Sequence, residues 1–288
     1  MVNLNITKIN SKYSSGLYLL STPIGNIEDI TLRALEFIKE CDYIYCENPI
    51  ISLKLLKHHQ IEKKLFKYFD HSNSDKRNEI IEHIKSGMLV GYLSDSGTPT
   101  ISDPGFKLVK QCKQQDLNVF AIPGPCSAIA ALSCSGLVTD KFHFYGFLPR
   151  TSSKRNEEFN KLKNISGSLI FFESPNRVID FLNDAKIHFS NSDFVIVKEI
   201  TKKFEAVQKF NFSSFHESKI TFQIKGEFII IIENIPQNEF DQQKLIDFIE
   251  ISKKELSNKT IINLAKKLFN LPKKDIYKFV LQQDNVDT

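Results

Sequence analysis

The chain has 288 residues, 41% hydrophobic and 25% charged, with a formal net charge of +4, which is material for one large or two modest globular domains. No apolar run approaches the roughly 20 residues that cross a bilayer, and the opening Met1 to Tyr13 lacks the apolar stretch of a secretory signal; a cytoplasmic protein with no membrane partner is expected. Five cysteines include no CxxC pair and seven histidines show no H-E-x-x-H spacing, so neither a disulfide framework nor a metal site is expected.

In chain order, Leu17 to Ser21 reads as a buried strand, followed by the loop Thr22-Pro-Ile-Gly-Asn26. A helix is expected from about Thr31 to Cys41, capped by Asp29, with Leu32, Leu35, Ile38 and Phe37 on its inner face. Strand, helix, strand, helix and strand then follow at Tyr43 to Cys46, Ser52 to His59, Leu65 to Phe69, Asp75 to Lys85 and Met88 to Leu93. The run Ser94-Asp-Ser-Gly-Thr-Pro-Thr-Ile-Ser-Asp-Pro-Gly105 comes next; Asp103 suits a helix cap and Pro104 the first helical position, so the loop should open onto a helix N-terminus. Phe106 to Gln115 is expected helical and Asn118 to Ile122 a strand. Strands alternating with helices argue for an α/β domain on a largely parallel sheet.

Pro123-Gly-Pro125 breaks the chain, and a second α/β unit follows. Its expected elements are a small-residue helix (Ser127 to Ser135), a strand (Phe142 to Tyr145), a basic helix (Ser153 to Lys163), a strand (Ser168 to Phe172) and a helix (Asn176 to His188). Phe194 to Lys198, Phe204 to Phe210 and Glu227 to Glu233 read as strands with fewer helices between them, which suggests a mixed or antiparallel sheet. After Asn234-Ile-Pro-Gln-Asn238 only helices are expected: Phe240 to Ser252, Asn258 to Phe269 and Lys273 to Gln282, the last pair spaced like a helix-turn-helix about Leu271 and Pro272. This tail carries nine lysines against seven acidic residues. With the lysine clusters at 54–67, 150–163 and 198–209 it is compatible with an anionic partner such as RNA, while each cluster alone is what a solvated surface also shows.

Three glycine/proline loops, Thr22 to Asn26, Ser94 to Pro99 and Pro123 to Cys126, end expected strands. In open parallel sheets that edge binds ligands. Neither G-x-G-x-x-G nor a P-loop is present, which argues against a dehydrogenase or a kinase.

At these residues the chain resembles the tetrapyrrole-methylase superfamily, and within it the type I small-subunit ribosomal RNA methyltransferases. The resemblance is carried by Leu17-Tyr-Leu-Leu-Ser-Thr-Pro-Ile-Gly-Asn26, Ser94 to Phe106 and Ile122-Pro-Gly-Pro-Cys-Ser-Ala128. It continues through Ala131 to Leu137, Gly146-Phe-Leu-Pro149, Phe172-Glu-Ser-Pro-Asn-Arg177, Lys198-Glu-Ile-Thr-Lys202 and Lys225-Gly-Glu-Phe228. It implies two α/β domains (14–122 and 123–236), a helical tail (240–288) and S-adenosylmethionine in the interdomain cleft. It also implies 2′-O-methylation of a decoding-centre cytidine in 16S rRNA of the small ribosomal subunit, by a homodimer. Pro23, Asp95, Gly97, Thr98, Ile101, Ser127, Ala128 and Phe172 are then expected at the cofactor.

A ribose hydroxyl is a poor nucleophile, so an accepting group beside it should help. Glu173 and Glu199 are the preferred acidic pair, with Glu47 and Asp29 behind them; each has the alternative of a helix cap or an ion pair with Arg177 or Lys202. Arg33, Arg177, Lys198, Lys202 and Lys225 are available for phosphates. Several positions depart from the family pattern. Glu47-Asn48-Pro49-Ile50 stands where Glu-Asp-Thr-Arg is usual, Asn176 replaces a His and Ser72 an Asn, and Glu28 is an extra loop residue. Two other readings stay open: a same-fold enzyme methylating a tetrapyrrole or other small acceptor, and a catalytically silent RNA-binding protein.

Overall fold

The computed structural model describes residues 12–70, 74–235, 242–269 and 271–284; Ser72, one of the departures, lies outside them. Residues up to 235 form one unit and those from 236 a second.

The first sheet takes β1 (Gly16–Leu20), β2 (Tyr43–Cys46), β3 (Leu65–Lys67), β4 (Leu89–Leu93) and β5 (Val119–Ile122), in the order β3-β2-β4-β1-β5 and parallel throughout. Parallel strands need crossovers, and four helices provide them: α1 (Leu32–Glu40), α2 (Pro49–His58), α3 (Ser74–Lys85) and α4 (Phe106–Gln114). Both faces are covered, so the strands read as continuous apolar runs. Along β1, Tyr18 and Leu20 pack with Phe37, Ile38 and Leu56 on one face, while Leu17 packs with Ile80, Tyr92 and Leu108 on the other.

The second sheet takes β6 (Phe142–Phe147), β7 (Gly167–Glu173), β8 (Asp193–Lys198), β9 (Ala206–Asn211) and β10 (Phe228–Asn234) in the order β6-β7-β10-β8-β9. Only β6 and β7 are parallel and the other pairs are antiparallel, so the sheet is mixed. Helices α6 (Ser152–Leu162) and α7 (Val178–His188) meet one face and α5 (Ser127–Ser135) the other. The all-apolar Phe228 to Ile232 follows from this: Phe228, Ile230 and Ile232 enter the α6/α7 core, and Ile229 and Ile231 the α5 core. Fully burying each such side chain stabilises by about 1.5–3 kcal/mol.

Three local expectations are corrected. Thr31, not Asp29, caps α1, its Oγ1 accepting the Ala34 N–H at 3.2 Å. The inner face of α1 is Ala34, Phe37 and Ile38, with Leu35 half-buried against the same core, whereas Leu32 is 85% exposed, because a helix starting at residue 32 turns its first side chain to solvent. The helix after the long loop begins at Phe106, with Gly105 at φ 113° as its cap. Asp103 and Pro104 therefore stay in the loop, which frees the Asp103 carboxylate from capping.

The second unit contains α8 (Gln242–Lys253), α9 (Asn258–Phe269) and α10 (Lys273–Asp284) around Leu245, Ile249, Ile261, Ala265, Ile276 and Val280. Pro272 opens α10, its carbonyl accepting from Asp275 and Ile276.

Candidate functional site

Strand order builds the site. β4 lies between β2 and β1, so the loop leaving its C-terminal end stands between the loops after those two strands. Two cavities result. An open trough of about 700 Å³ is lined by Glu47 and Asn48 after β2, Lys67, Phe69 and Asp70 at the end of β3, and Asp95, Ser102, Asp103 and Pro104 after β4. A narrower cleft of about 260 Å³ joins Ile24, Ser96 and Ser127 to second-sheet residues that include Phe147, Phe172, Glu173, Val197, Glu199 and Ile229. Consecutive residues thus face different cavities, Asp95 the trough and Ser96 the cleft.

The β4 loop is held in an uncommon backbone shape. Gly97 (φ 80°) forms a two-way bridge with Thr22, N–H to O at 2.9 and 3.0 Å, and a β-carbon there would press on Ile24 Cγ2 at 3.2 Å. Thr98 Oγ1 donates to the Pro125 carbonyl at 3.0 Å and accepts from Ser21 Oγ at 3.2 Å, tying the loops after β1, β4 and β5 together. Six non-glycine residues among those described have left-handed φ; Thr100, Ser102, Glu199 and Thr201 lie on the two loops beside the cavities. Such residues cost of order 1 kcal/mol each and concentrate where function needs a fixed backbone. Where the two halves of this unit touch, Gly25 lies so close to Lys202 and Thr201 that any side chain would collide, and the Asn26 N–H donates to Thr201 Oγ1 at 3.2 Å.

The expected acids divide sharply. Glu173 is 2% exposed; its Oε1 accepts the Ser174 N–H at 2.7 Å and its Oε2 lies 3.0 Å from Arg177 Nη2 without hydrogen-bond alignment. Glu199 accepts the Glu227 N–H at 2.9 Å and meets Lys202 Nζ at 3.0 Å. Burial works against its charge, but the Glu227 N–H and the Lys202 ammonium outweigh it and hold the carboxyl below the usual range. Both line the cleft, and both have a cation beside them. The trough carboxylates differ. Burial, with Glu47 and Asp95 beside it, pushes the Asp103 carboxyl up to about 7. Burial and Asp95 raise Glu47, and burial raises Asp95 against a hydrogen bond from the Asn48 N–H.

Of the eight residues expected at the cofactor, Ser127 and Phe172 line the cleft and Asp95 lines the trough. Gly97 and Thr98 shape the loop between them, Ala128 packs into the α5 core, Pro23 is half-buried, and Ile101 is 47% exposed. Asp29, the remaining candidate acid, lines neither cavity. Among the cations, Arg33 is exposed and donates to the Ala121 carbonyl at 3.1 Å, Arg177 and Lys202 serve Glu173 and Glu199, and Lys225 is exposed. Lys198 is buried with its ammonium 5.8 Å from the Phe204 and Phe222 rings. Sequence reasoning missed Ile24, Ser96, Phe147 and Glu227 as lining residues. Each sits inside a quoted motif, and only strand order shows which residue of a motif points inward.

Residues 16–215 match the family model Tetrapyrrole (Corrin/Porphyrin) Methylases. The chain is 43% identical over 269 residues to a Ribosomal RNA small subunit methyltransferase I of Rickettsia prowazekii (strain Madrid E), covering 92% of this chain and 96% of that protein. The chain belongs to this methyltransferase I family of tetrapyrrole methylases. The fold agrees: a diphthine synthase crystal structure superposes with a TM-score of 0.58 at 15% identity, over 75% of this chain and 89% of that one. A uroporphyrin-III C-methyltransferase from Thermus thermophilus, complexed with S-adenosyl homocysteine, does so at 0.50 and 16% identity, over 75% and 96%. Among the described residues no helix is long and apolar enough to cross a membrane.

Proposed function

We propose that this family member uses S-adenosylmethionine to methylate small-subunit 16S rRNA, and specifically the ribose 2′-OH of a decoding-centre cytidine. One observation carries the reading: the β4 loop separates a narrower cleft from a more open trough, so a donor in the cleft and an acceptor in the trough would face each other across Asp95 and Ser96. The Rickettsia relative's name supports rRNA as the acceptor.

The cleft fits the cofactor chemically. Ile24, Phe147, Phe172, Val197 and Ile229 offer apolar walls to a flat base and Ser96 and Ser127 offer hydroxyls, while the carboxylates of Glu173, Glu199 and Glu227 are already paired with Arg177 and Lys202. When bound, S-adenosylmethionine supplies an electrophilic methyl group. This chain's residues hold the ligand, fix the β4 loop and exclude water from the narrow side. Arg33, Lys225 and the basic tail supply positive charge for phosphates. A homodimer accompanies the reading, and sedimentation measures it directly.

The test is tritium transfer from labelled S-adenosylmethionine to small ribosomal subunits from cells lacking this gene, followed by mapping of ribose methylation. One labelled decoding-region cytidine is the expected result. Intact cofactor binding with no label on the subunits would overturn it and favour a small acceptor or a silent protein.

A further inference from the structure

The trough holds two acidic groups, Asp70 and Asp103, that none of the expected roles uses. Asp103 faces Glu47 from the end of β2, Lys67 and Asp70 from β3 and its following turn, and Tyr92 and Asp95 from β4 and its loop. It is the most enclosed of the three carboxylates Glu47, Asp95 and Asp103. Asp95 is committed to the Asn48 N–H. Lys67, the cation on the trough wall, leans over the Phe69 ring at 5.3 Å. The Asp103 carboxylate has no hydrogen bond or ion pair with any described residue. A second observation comes from beneath. The Tyr92 side chain is fully buried, its hydroxyl has no hydrogen-bond partner among the described residues, and it lies in the field of Glu47, Asp70 and Asp103. A buried orphan hydroxyl is costly, and this one sits sealed beneath the carboxylate-lined trough without lining it. Among the described residues no three His, Cys, Asp or Glu side chains stand close enough to hold a metal ion, which favours a proton acceptor over a cation site.

We propose that Asp103, on the trough side of the β4 loop, is the group that takes the proton from the acceptor hydroxyl. This rests on the trough being the acceptor side of the methyl transfer. As the hydroxyl oxygen bonds to the methyl carbon, the carbon–sulfur bond breaks with its electron pair passing to sulfur, and the hydroxyl proton moves to Asp103. An acceptor works best when its pKa lies near the working pH, and the Asp103 surroundings favour that, burial first and then Glu47 and Asp95 making it hold its proton more firmly than in water. Glu199, held below the usual carboxylate range beside Lys202, is a weaker base, and Glu173 is taken up by Arg177 and the Ser174 N–H.

The experiment compares the full-length protein with Asp103→Asn and Glu199→Gln. Single-turnover methyl transfer to unmodified small subunits is followed from about pH 5.5 to 9, cofactor affinity is measured by calorimetry, and the ligand-free Asp103 carboxyl is titrated by 13C NMR, assigned with the variant. Asp103→Asn is expected to lower the rate by about 10²–10³-fold with cofactor affinity within about threefold and a flattened pH profile. A rate loss matched by lost cofactor affinity would overturn the inference, because Asp103 would then be a cofactor contact. An unchanged rate and profile, or titration at the ordinary carboxylate value, would also overturn it. If the wild type labels no RNA, the functional reading fails and this inference falls with it, whereas labelled RNA with an unaffected Asp103→Asn rate overturns the inference alone.

Discussion

Asp95 accepts, through Oδ1, a 2.9 Å hydrogen bond from the backbone N–H of Asn48, which fastens the loop after β4 to the turn after β2. That turn is where the sequence departs from Glu-Asp-Thr-Arg, yet its local structure is intact: Asn48 Oδ1 accepts the Ile50 N–H at 3.1 Å as the cap of α2, and Pro49 takes the first helical position. Asn serves as a cap as well as Asp does, so the departure changes charge and leaves geometry in place. Asn48→Ala should cost about 1 kcal/mol of stability and leave cofactor affinity unchanged, because the bond to Asp95 comes from the backbone. Asp95→Ala should cost about as much and also loosen the loop. Thermal melts with calorimetry separate the two; equal loss of cofactor affinity in both variants would contradict the backbone tether.

Gly97→Val tests the loop itself. The position has left-handed φ, bridges Thr22 in both directions, and a β-carbon there would press on Ile24, a cleft residue. A β-branched side chain there costs about 1–3 kcal/mol in backbone strain and pushes Ile24 into the cleft. The expected calorimetric result is no measurable cofactor binding by a protein that is still folded. Unchanged affinity would remove this loop from the cofactor site.

The loops and most strands were legible because turn residues punctuate continuous apolar runs, and burial on both sheet faces makes such runs unambiguous. The mixed second sheet was readable from its thinning helices. What failed was local and had a local cause. Asp-Pro-Gly reads as cap and first helical residue, but Gly105 at φ 113° turns the chain only afterwards, so Asp103 was assigned to a helix instead of a cavity. The partners of Glu173 and Glu199 lay in plain view at i+4 and i+3. The division of one loop between two cavities depends on β4 standing between β1 and β2, and pairing order is not written in any single strand.

The Glu173–Arg177 pair predicts a loss of stability more than of chemistry. The Glu173 side chain is wholly enclosed, and Arg177 Nη2 also donates to the carbonyls of Leu148 and Pro149 at 3.0 and 3.2 Å. Arg177→Met leaves a carboxylate buried with only the Ser174 N–H and hydroxyl, at a cost of about 3 kcal/mol. Glu173→Gln in the same background should recover part of it. Denaturant melts give both values, and methyl transfer per folded molecule should fall less than about tenfold; a larger loss would restore Glu173 as a base.

Asp103 links site to stability through pH. Burial, with Glu47 and Asp95 beside it, pushes its carboxyl up to about 7, above the ordinary aspartate value of about 3.9, so between those values the folded protein keeps a proton the unfolded chain has released. Stability therefore falls as pH rises through that window, and the cost is complete above it. Asp103→Asn should be more stable than the wild type at about pH 8 by roughly 1–2 kcal/mol once solvent screening at this half-buried site is allowed for. The difference should vanish near pH 4. Thermal melts across pH check the sign, and a variant less stable at high pH would mean the carboxylate has a cationic partner.

The tail makes a separate electrostatic prediction. Its helices share their own apolar core, while Lys266, Lys267, Lys273 and Lys274 are exposed around the α9–α10 turn. On the proposed RNA function, each lysine at a phosphate releases about 0.7–0.9 of a counterion. Replacing all four with Ser should weaken RNA binding and flatten its logarithmic salt dependence by up to about three, leaving cofactor affinity unchanged. The lysines are remote in sequence from every cavity residue, so the two affinities should separate cleanly. Titrations of small-subunit RNA at several salt concentrations measure the slope. An unchanged slope would make the tail a structural unit without nucleic-acid contact, and would leave Arg33 and Lys225 as the phosphate-facing cations to test next.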